Sequence, residues 1–164
     1  MAEGKVFYAE QDGTSVFRLQ GAISYRVANA LDHFLDDSFA ARRFGQVLVD
    51  LSELESIDST GLGLLAKIAN IVRRRDGSRP LLFSSQPDIN TLLSSICLDA
   101  AFVLCERIPD LDPGIALPVG EASERELAET VLAAHRRLCE MNEGNRALFQ
   151  DVVDAFEREL GKTP

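Results

Sequence analysis

The sequence predicts an α/β fold: a mixed β-sheet of four to five strands covered by helices, followed by a C-terminal helical extension.

 Short β-branched and apolar runs alternate with longer segments whose apolar residues recur at helical spacing. An Asp-Gly pair, at Asp12 and Gly13, separates the first two runs, which is typical of an antiparallel hairpin. Two further helical patterns lie beyond a proline-containing segment in the last third of the chain.

The strand patterns occur in five places. Residues 5–10 and 15–20 form the hairpin, and residues 47–51, 81–83 and 102–105 follow as separate strands. We expect a loop through residues 55–57, between the third strand and the next helix. Because the later strands alternate with helices, we expect the helices to cover largely one side of the sheet.

Three helical patterns belong to this first part of the chain. The first spans residues 25–40, and the second follows the segment at residues 58–63. The second helix has a clear end, because three arginines at 73–75 suit the negative end of the helix dipole and Gly77 suits a left-handed C-cap. Pro87 opens a short third helix, where its missing N–H does no harm.

Composition limits the classes of function. The chain has 164 residues, of which 46% are hydrophobic and 26% charged, and this suits one compact domain with an appendage. Its net charge of −9 argues against nucleic acid and against an anionic membrane surface, and it favours protein partners. The sequence contains neither a signal-peptide pattern nor an apolar run of membrane-spanning length, so we expect a cytoplasmic protein.

The cysteines and histidines form no catalytic or metal-binding pattern. Cys97, Cys105 and Cys139 are odd in number and lack metal-ligand spacing, which indicates reduced thiols. His33 and His135 each lie in a helical pattern with charged neighbours, and we interpret both as surface residues. Nucleotide-binding and serine-hydrolase motifs are also missing, so we expect a protein that is not an enzyme and needs neither metal nor cofactor.

One polar segment separates the third strand from the second helix. It consists of Asp58, Ser59, Thr60, Gly61, Leu62 and Gly63. The start of a helix has unpaired N–H groups and a positive dipole end, so a hydroxyl there can carry a phosphate without breaking the fold. Asp, Ser and Thr are also the preferred N-cap residues, so the same segment can be a cap and nothing more.

The two glycines in this segment need a separate explanation. Glycine inside a helix costs about 1 kcal/mol relative to alanine. Gly61 and Gly63 in the first turn therefore indicate that another group comes close to the backbone there. That group can belong to a binding partner or to the neighbouring strand.

The strand, the Asp-Ser-Thr-Gly-Leu-Gly segment and the apolar helix together resemble the phosphorylation-site region of the STAS domain family, the anti-sigma factor antagonists. Residues 17–23 are similar to the second strand of that family, and residues 80–89 to a later strand and short helix. The resemblance covers roughly residues 6–108. The family usually has serine where this chain has Thr60, and its members often have aspartate where this chain has Ser24.

The resemblance implies a STAS-like fold and a switch based on phosphorylation. In such a switch the unmodified protein binds an anti-sigma factor that is also a serine kinase. Phosphorylation of Ser59, with Thr60 as the second choice of acceptor, ends the binding, and a PP2C-type phosphatase restores it. The partner-binding residues implied are Ser24, Asp58, Ser59, Thr60, Gly61, Leu62 and Gly63. The alternative is a STAS scaffold subunit of a transporter or lipid-transport assembly, in which the segment does not switch.

The chain divides into three predicted parts. Residues 1–108 form the STAS domain, residues 109–120 a linker that contains prolines and glycines, and residues 121–164 a helical C-terminal extension. The extension has two apolar stripes, and residues 143–145 either kink one helix or separate two. An apolar stripe must be covered, so these helices pack on their own domain, form a homodimer or bind another protein.

Overall fold

The architecture is that of a computed structural model, which describes residues 2–39, 41–108 and 110–161. Ala40, the predicted end of the first helix, and Pro109, the predicted start of the linker, lie outside the described residues. The same holds for residues 162–164, the predicted end of the helical extension.

Within the described residues, seven strands form one mixed sheet, so the predicted fold class is confirmed with more strands than expected. The strands are β1 (Lys5–Gln11), β2 (Thr14–Ile23), β3 (Gln46–Asp50), β4 (Leu54–Ile57), β5 (Leu81–Phe83), β6 (Val103–Cys105) and β7 (Ile115–Ala116). Their order is β6-β5-β3-β2-β1-β7, and β4 pairs with β2 outside this path. The β1–β2 hairpin and the β1–β7 pair are antiparallel, whereas β2, β3, β5 and β6 pair in parallel.

The expectation of a loop through residues 55–57 is wrong, because these residues belong to β4. The segment is too short to show a strand period, and its pairing depends on β2, which is far away in sequence. The pairing register of β2 shifts at Gly21, whose φ is +74°, and the strand changes its partner from β3 to β4 there. A Cβ atom at Gly21 would lie 2.7 Å from the Glu3 carbonyl oxygen, so only glycine fits this position.

Strand β7 lies inside the predicted linker. Ile115 and Ala116 pair with Tyr8 and Phe7 of β1, and they extend the sheet at that edge. Arg18 also donates a hydrogen bond to the Pro113 carbonyl. This part of the linker is therefore attached to the sheet.

Five α-helices complete the fold of the described residues. They are α1 (Tyr25–Phe34), α2 (Ser59–Asp76), α3 (Pro87–Ser95), α4 (Glu124–Met141) and α5 (Glu143–Gly161). The first helix begins where predicted, and a π-helical turn at Leu35–Phe39 takes over its last part. No described helix combines the length and apolar composition needed to cross a bilayer.

The ends of α2 follow local rules and are confirmed. The Asp58 carboxylate accepts a hydrogen bond from the Gly61 N–H at 2.8 Å, which caps the helix start. Gly77 has a φ of +77° and donates its N–H to the Arg73 carbonyl at 2.8 Å, which closes the helix end.

The first ten residues after Ser59 distinguish α2 from the other helices. All residues from Thr60 to Ala69 are buried. Ten consecutive residues of a helix point in every direction, so α2 must be covered on all sides. The one charged side chain in this run, Lys67, is neutralised by Asp32 at 2.5 Å and Asp36 at 2.6 Å.

The C-terminal extension is a two-helix hairpin. Asn142 is extended, with φ −168° and ψ 169°, and it ends α4. Its side-chain oxygen accepts the Asn145 N–H at 2.8 Å, so the same residue caps the start of α5. The two helices share a small apolar cluster around Leu132, Cys139 and Val153. Of the two predicted arrangements, the structure has separate helices.

Candidate functional site

The predicted segment lies at one edge of the sheet. Strands β2 and β4 are parallel and end side by side, where Ile23 pairs with Ile57. The next residues, Ser24 and Asp58, therefore lie at the same edge, and the Asp58 N–H donates to the Ile23 carbonyl at 3.1 Å. Helices α1 and α2 both start here, so the structure brings Ser24 close to the Asp-Ser-Thr segment.

The three polar residues of this segment differ in exposure and role. Asp58 is the N-cap, as its bond to the Gly61 N–H shows. Ser59 is the first residue of α2 and is half-buried. Thr60 is only 4% exposed, so its hydroxyl is shielded from solvent. Helix capping thus falls to the aspartate, and Ser59 is the more accessible of the two hydroxyl groups.

Both glycines are needed because other parts of the chain come close. A Cβ atom on Gly61 would lie 2.6 Å from the Ile57 side chain, on the sheet side of the helix. A Cβ atom on Gly63 would lie 2.5 Å from the Ala134 Cβ, on the side that α4 covers. Both glycines are therefore buried within the protein, as is Leu62, which is 3% exposed.

Helix α4 also brings a histidine to the segment. His135 Nε2 lies 2.7 Å from Ser59 Oγ, and His135 Nδ1 lies 2.7 Å from the Val131 carbonyl oxygen. A carbonyl oxygen only accepts hydrogen bonds, so Nδ1 carries a proton. In the neutral ring Nε2 then has the lone pair, and the Ser59 hydroxyl donates to it.

The interpretation of His135 as a surface residue is wrong, because it is only 3% exposed. Its ring packs against the Phe149 ring of α5, with centroids 5.6 Å apart. His33 is exposed, as predicted. The sequence does carry a signal for His135, since it follows Val131 by four residues and precedes Leu138 by three, which places it on the buried stripe of α4.

Side-chain hydrogen bonds at three points of the hairpin, Thr130, His135 and Asn145, help to attach it to the rest of the chain. They are Asn29 Nδ2 to Thr130 Oγ1 at 2.9 Å, Ser59 Oγ to His135 Nε2 at 2.7 Å, and Asn145 Nδ2 to the Ile96 carbonyl at 2.9 Å. They reach α1, α2 and the end of α3. The stripe of α4 is therefore covered by its own chain, which was one of the three predicted solutions.

An open groove of about 440 Å³ adjoins the site. It lies among the starts of α1 and α2 and the two helices of the hairpin, and its lining includes Tyr25, Arg26, Thr60, Leu127, Val131 and Phe156. Tyr25 is 39% exposed, and the Arg26 guanidinium lies 5.4 Å from the centroid of its ring. The groove has an apolar wall, one cation at Arg26 and one carboxylate at Glu124.

The described part of the chain gives no evidence for a metal site or for a reactive thiol. Its His, Cys, Asp and Glu residues do not form a group of three that could hold a metal ion. Its three cysteines are unpaired. Burial raises the pKa of the Cys105 and Cys139 thiols, which lowers their reactivity at neutral pH.

A family model and a solved structure are similar to parts of this chain. The family model of the STAS domain matches residues 6–110, from β1 to just beyond β6. The crystal structure of an anti-sigma factor antagonist from Mycobacterium paratuberculosis is similar at 20% sequence identity, with a TM-score of 0.49. The similarity covers 65% of this chain and 88% of that one. Because the family model spans more than half of the sequence, the chain belongs to the STAS domain family.

Proposed function

We propose that the protein is an anti-sigma factor antagonist of the cytoplasm whose binding to an anti-sigma serine kinase is switched off by phosphorylation of Ser59. A PP2C-type phosphatase restores the binding. The observation that carries this proposal is the position of Ser59. It is the half-buried first residue of α2, directly after the capping Asp58, in a segment that resembles the phosphorylation motif of the family.

The local electrostatics suit such a switch. A phosphate adds a charge of about −1.5 to −2 and three strong acceptor oxygens. The positive end of the α2 dipole tolerates this charge, so the fold survives the modification. A partner that had packed against Ser59 and Asp58 would instead meet a concentrated negative charge, and binding would weaken by repulsion and by the cost of desolvation.

The same edge of the sheet offers a docking surface. Ser24, Asp58 and Ser59 lie together there, and Tyr25 and Arg26 continue the surface along the groove. Tyrosine and arginine are enriched at protein interfaces. The predicted contacts of Gly61, Leu62 and Gly63 with a partner would require a rearrangement first, because all three residues are buried. For Gly63, the element that must move is α4.

The test uses the full chain, a purified anti-sigma serine kinase and ATP. Mass spectrometry should find one phosphate on Ser59 of the wild type and none on Ser59→Ala. Thr60→Val is the matched control, since it keeps the β-branched shape and should still be phosphorylated. In binding assays Ser59→Ala should bind the kinase persistently and Ser59→Asp weakly. Equal binding by the wild type and both serine variants would contradict the proposal.

One observation favours the alternative, a STAS scaffold subunit that does not switch. The Ser59 hydroxyl already bonds to His135 within the chain, so it can serve as a structural contact. In that case no phosphate is transferred to Ser59 by the kinase. Binding to a transporter or lipid-transport assembly would then depend on the exposed surface of the hairpin and would be unchanged in Ser59→Asp.

A further inference from the structure

We infer that His135 is the general base that accepts the Ser59 proton during phosphorylation, so that the C-terminal hairpin supplies part of the modification site. This inference rests on the proposed phosphorylation of Ser59. It assigns a chemical role to a residue that lies outside the span matched by the STAS family model.

The first support is the geometry of the pair. A nucleophile is activated by a base within hydrogen-bond reach, and the base is oriented by a third group. Ser59 Oγ lies 2.7 Å from His135 Nε2, and the Val131 carbonyl lies 2.7 Å from Nδ1 on the other side of the ring. The carbonyl holds the proton on Nδ1, which leaves the Nε2 lone pair directed at the serine hydroxyl.

The second support is the packing that holds the imidazole in place. The ring is buried and packs against Phe149 of α5. Its neighbour in sequence, Ala134, lies against Gly63, so the absence of a side chain at Gly63 sets the distance between α4 and α2. The bond between Asn29 and Thr130 fixes α4 one turn earlier. This packing holds the ring in position without a substrate.

The surroundings leave His135 as the base best placed for this proton. Its ring contacts Ser59, which lies on α2, and the uncharged ring of Phe149, which lies on α5. Asp58, the carboxylate at the start of α2, already uses Oδ1 to accept the Gly61 N–H. Its role is to cap the helix.

Phosphate transfer to Ser59 forms one bond to phosphorus and breaks another. Ser59 Oγ attacks the γ-phosphorus of the nucleoside triphosphate that the kinase supplies, and a new O–P bond forms. The bond between that phosphorus and the bridging β–γ oxygen breaks, and the nucleoside diphosphate leaves. The Ser59 proton moves to His135 Nε2. The product is a phosphoserine beside an imidazolium, whose positive charge offsets part of the new negative charge.

The two possible roles of His135, structural support and general base, predict opposite changes in the phosphorylation rate when the histidine is removed. If the histidine only holds α4 over the start of α2, its removal should uncover Ser59 and speed phosphorylation. If it is the base, its removal should slow phosphorylation. The sign of the rate change therefore separates the two roles.

The experiment measures the single-turnover rate of phosphate transfer from ATP to Ser59 in the full chain, with saturating kinase. His135→Gln should lower this rate about 100-fold, a typical contribution of a general base. His33→Gln is the matched control, because it removes an exposed histidine on α1, and it should keep the wild-type rate. Thr130→Val breaks a different bond between α4 and the domain but leaves the base in place, so it should lower the rate far less than His135→Gln does.

One further readout does not depend on the glutamine variant folding well. Free imidazole in solution should restore the rate of His135→Ala, because it can occupy the space that the side chain leaves.

The outcomes are distinguishable. Phosphorylation of His135→Gln at or above the wild-type rate overturns the inference and leaves the proposed function intact. A lack of rescue by imidazole in a folded His135→Ala overturns it as well. If the wild type accepts no phosphate, the proposed function fails and the inference fails with it.

Discussion

The two long faces of α2 are closed in different ways. On the sheet side, Gly61 packs against Ile57, and helical spacing places Leu65 and Ile68 on the same face, where both are fully buried. On the α4 side, Gly63 meets Ala134 and Ser59 bonds to His135. Apolar side chains of the sheet close the first face, whereas on the second a close backbone approach and a hydrogen bond add to the apolar contacts of Ala134 and Leu138. We therefore expect the first face to support the whole fold and the second to open separately.

The largest expected effect comes from the sheet side. Leu65→Ala should lower the free energy of unfolding by about 3 kcal/mol, because it leaves a cavity in a core that cannot collapse around it. Urea denaturation followed by circular dichroism measures this loss. Leu148→Ala is the control, since that leucine is 61% exposed on α5 and its truncation should change stability by less than about 0.5 kcal/mol. Similar losses in both variants would contradict the assigned role of the sheet face.

A smaller and more local effect should follow from Gly63→Ala on the α4 side. The new methyl group would lie 2.5 Å from the Ala134 Cβ and 2.6 Å from its carbonyl oxygen, so α4 must shift. Overpacking costs about 1–3 kcal/mol, and the better helix propensity of alanine returns about 1 kcal/mol of it. Hydrogen exchange should become faster in α4 and stay unchanged in β2 and β3.

Gly161→Ala is the control for this variant, because no heavy atom lies within 4 Å of the added Cβ. It should leave exchange in α4 as in the wild type. If Gly63→Ala speeds exchange in β3 as much as in α4, the two faces of α2 open together and the comparison between them is wrong.

The smallest effect concerns how the hairpin moves. Cys139 lies between α4 and α5, 6% exposed, and burial raises its pKa, so at a given pH near neutrality less of the reactive thiolate is present. Alkylation by iodoacetamide should therefore be about tenfold slower at Cys139 than at the exposed Cys97. As the pH is raised, alkylation of Cys139 should accelerate over a higher pH range than alkylation of an ordinary thiol, because its pKa is raised.

In Gly63→Ala the alkylation of Cys139 should stay slow, because the contact between α4 and α5 is retained when the hairpin moves as a unit. Mass spectrometry of the alkylated peptides measures both cysteines in one sample. Fast alkylation of Cys139 in this variant would show that the hairpin itself comes apart.

Local rules were enough to predict much of the fold. The β1–β2 hairpin follows from Asp12 and Gly13, the end of α2 from Gly77, and the start of α3 from Pro87. The family resemblance led to Ser59, and the structure places that residue at the start of α2. Its role as the phosphorylated residue stays a prediction, as do the partner contacts and the division into domain, linker and extension.

The sequence by itself determined where helices begin and end and which faces are apolar, because caps, turns and periodicity act between residues that are close along the chain. Only the tertiary structure decided that β4 pairs with β2, that β7 extends the sheet and that His135 meets Ser59. These contacts join residues far apart in sequence. Their formation depends on how distant parts of the chain come together, and no local pattern contains that information.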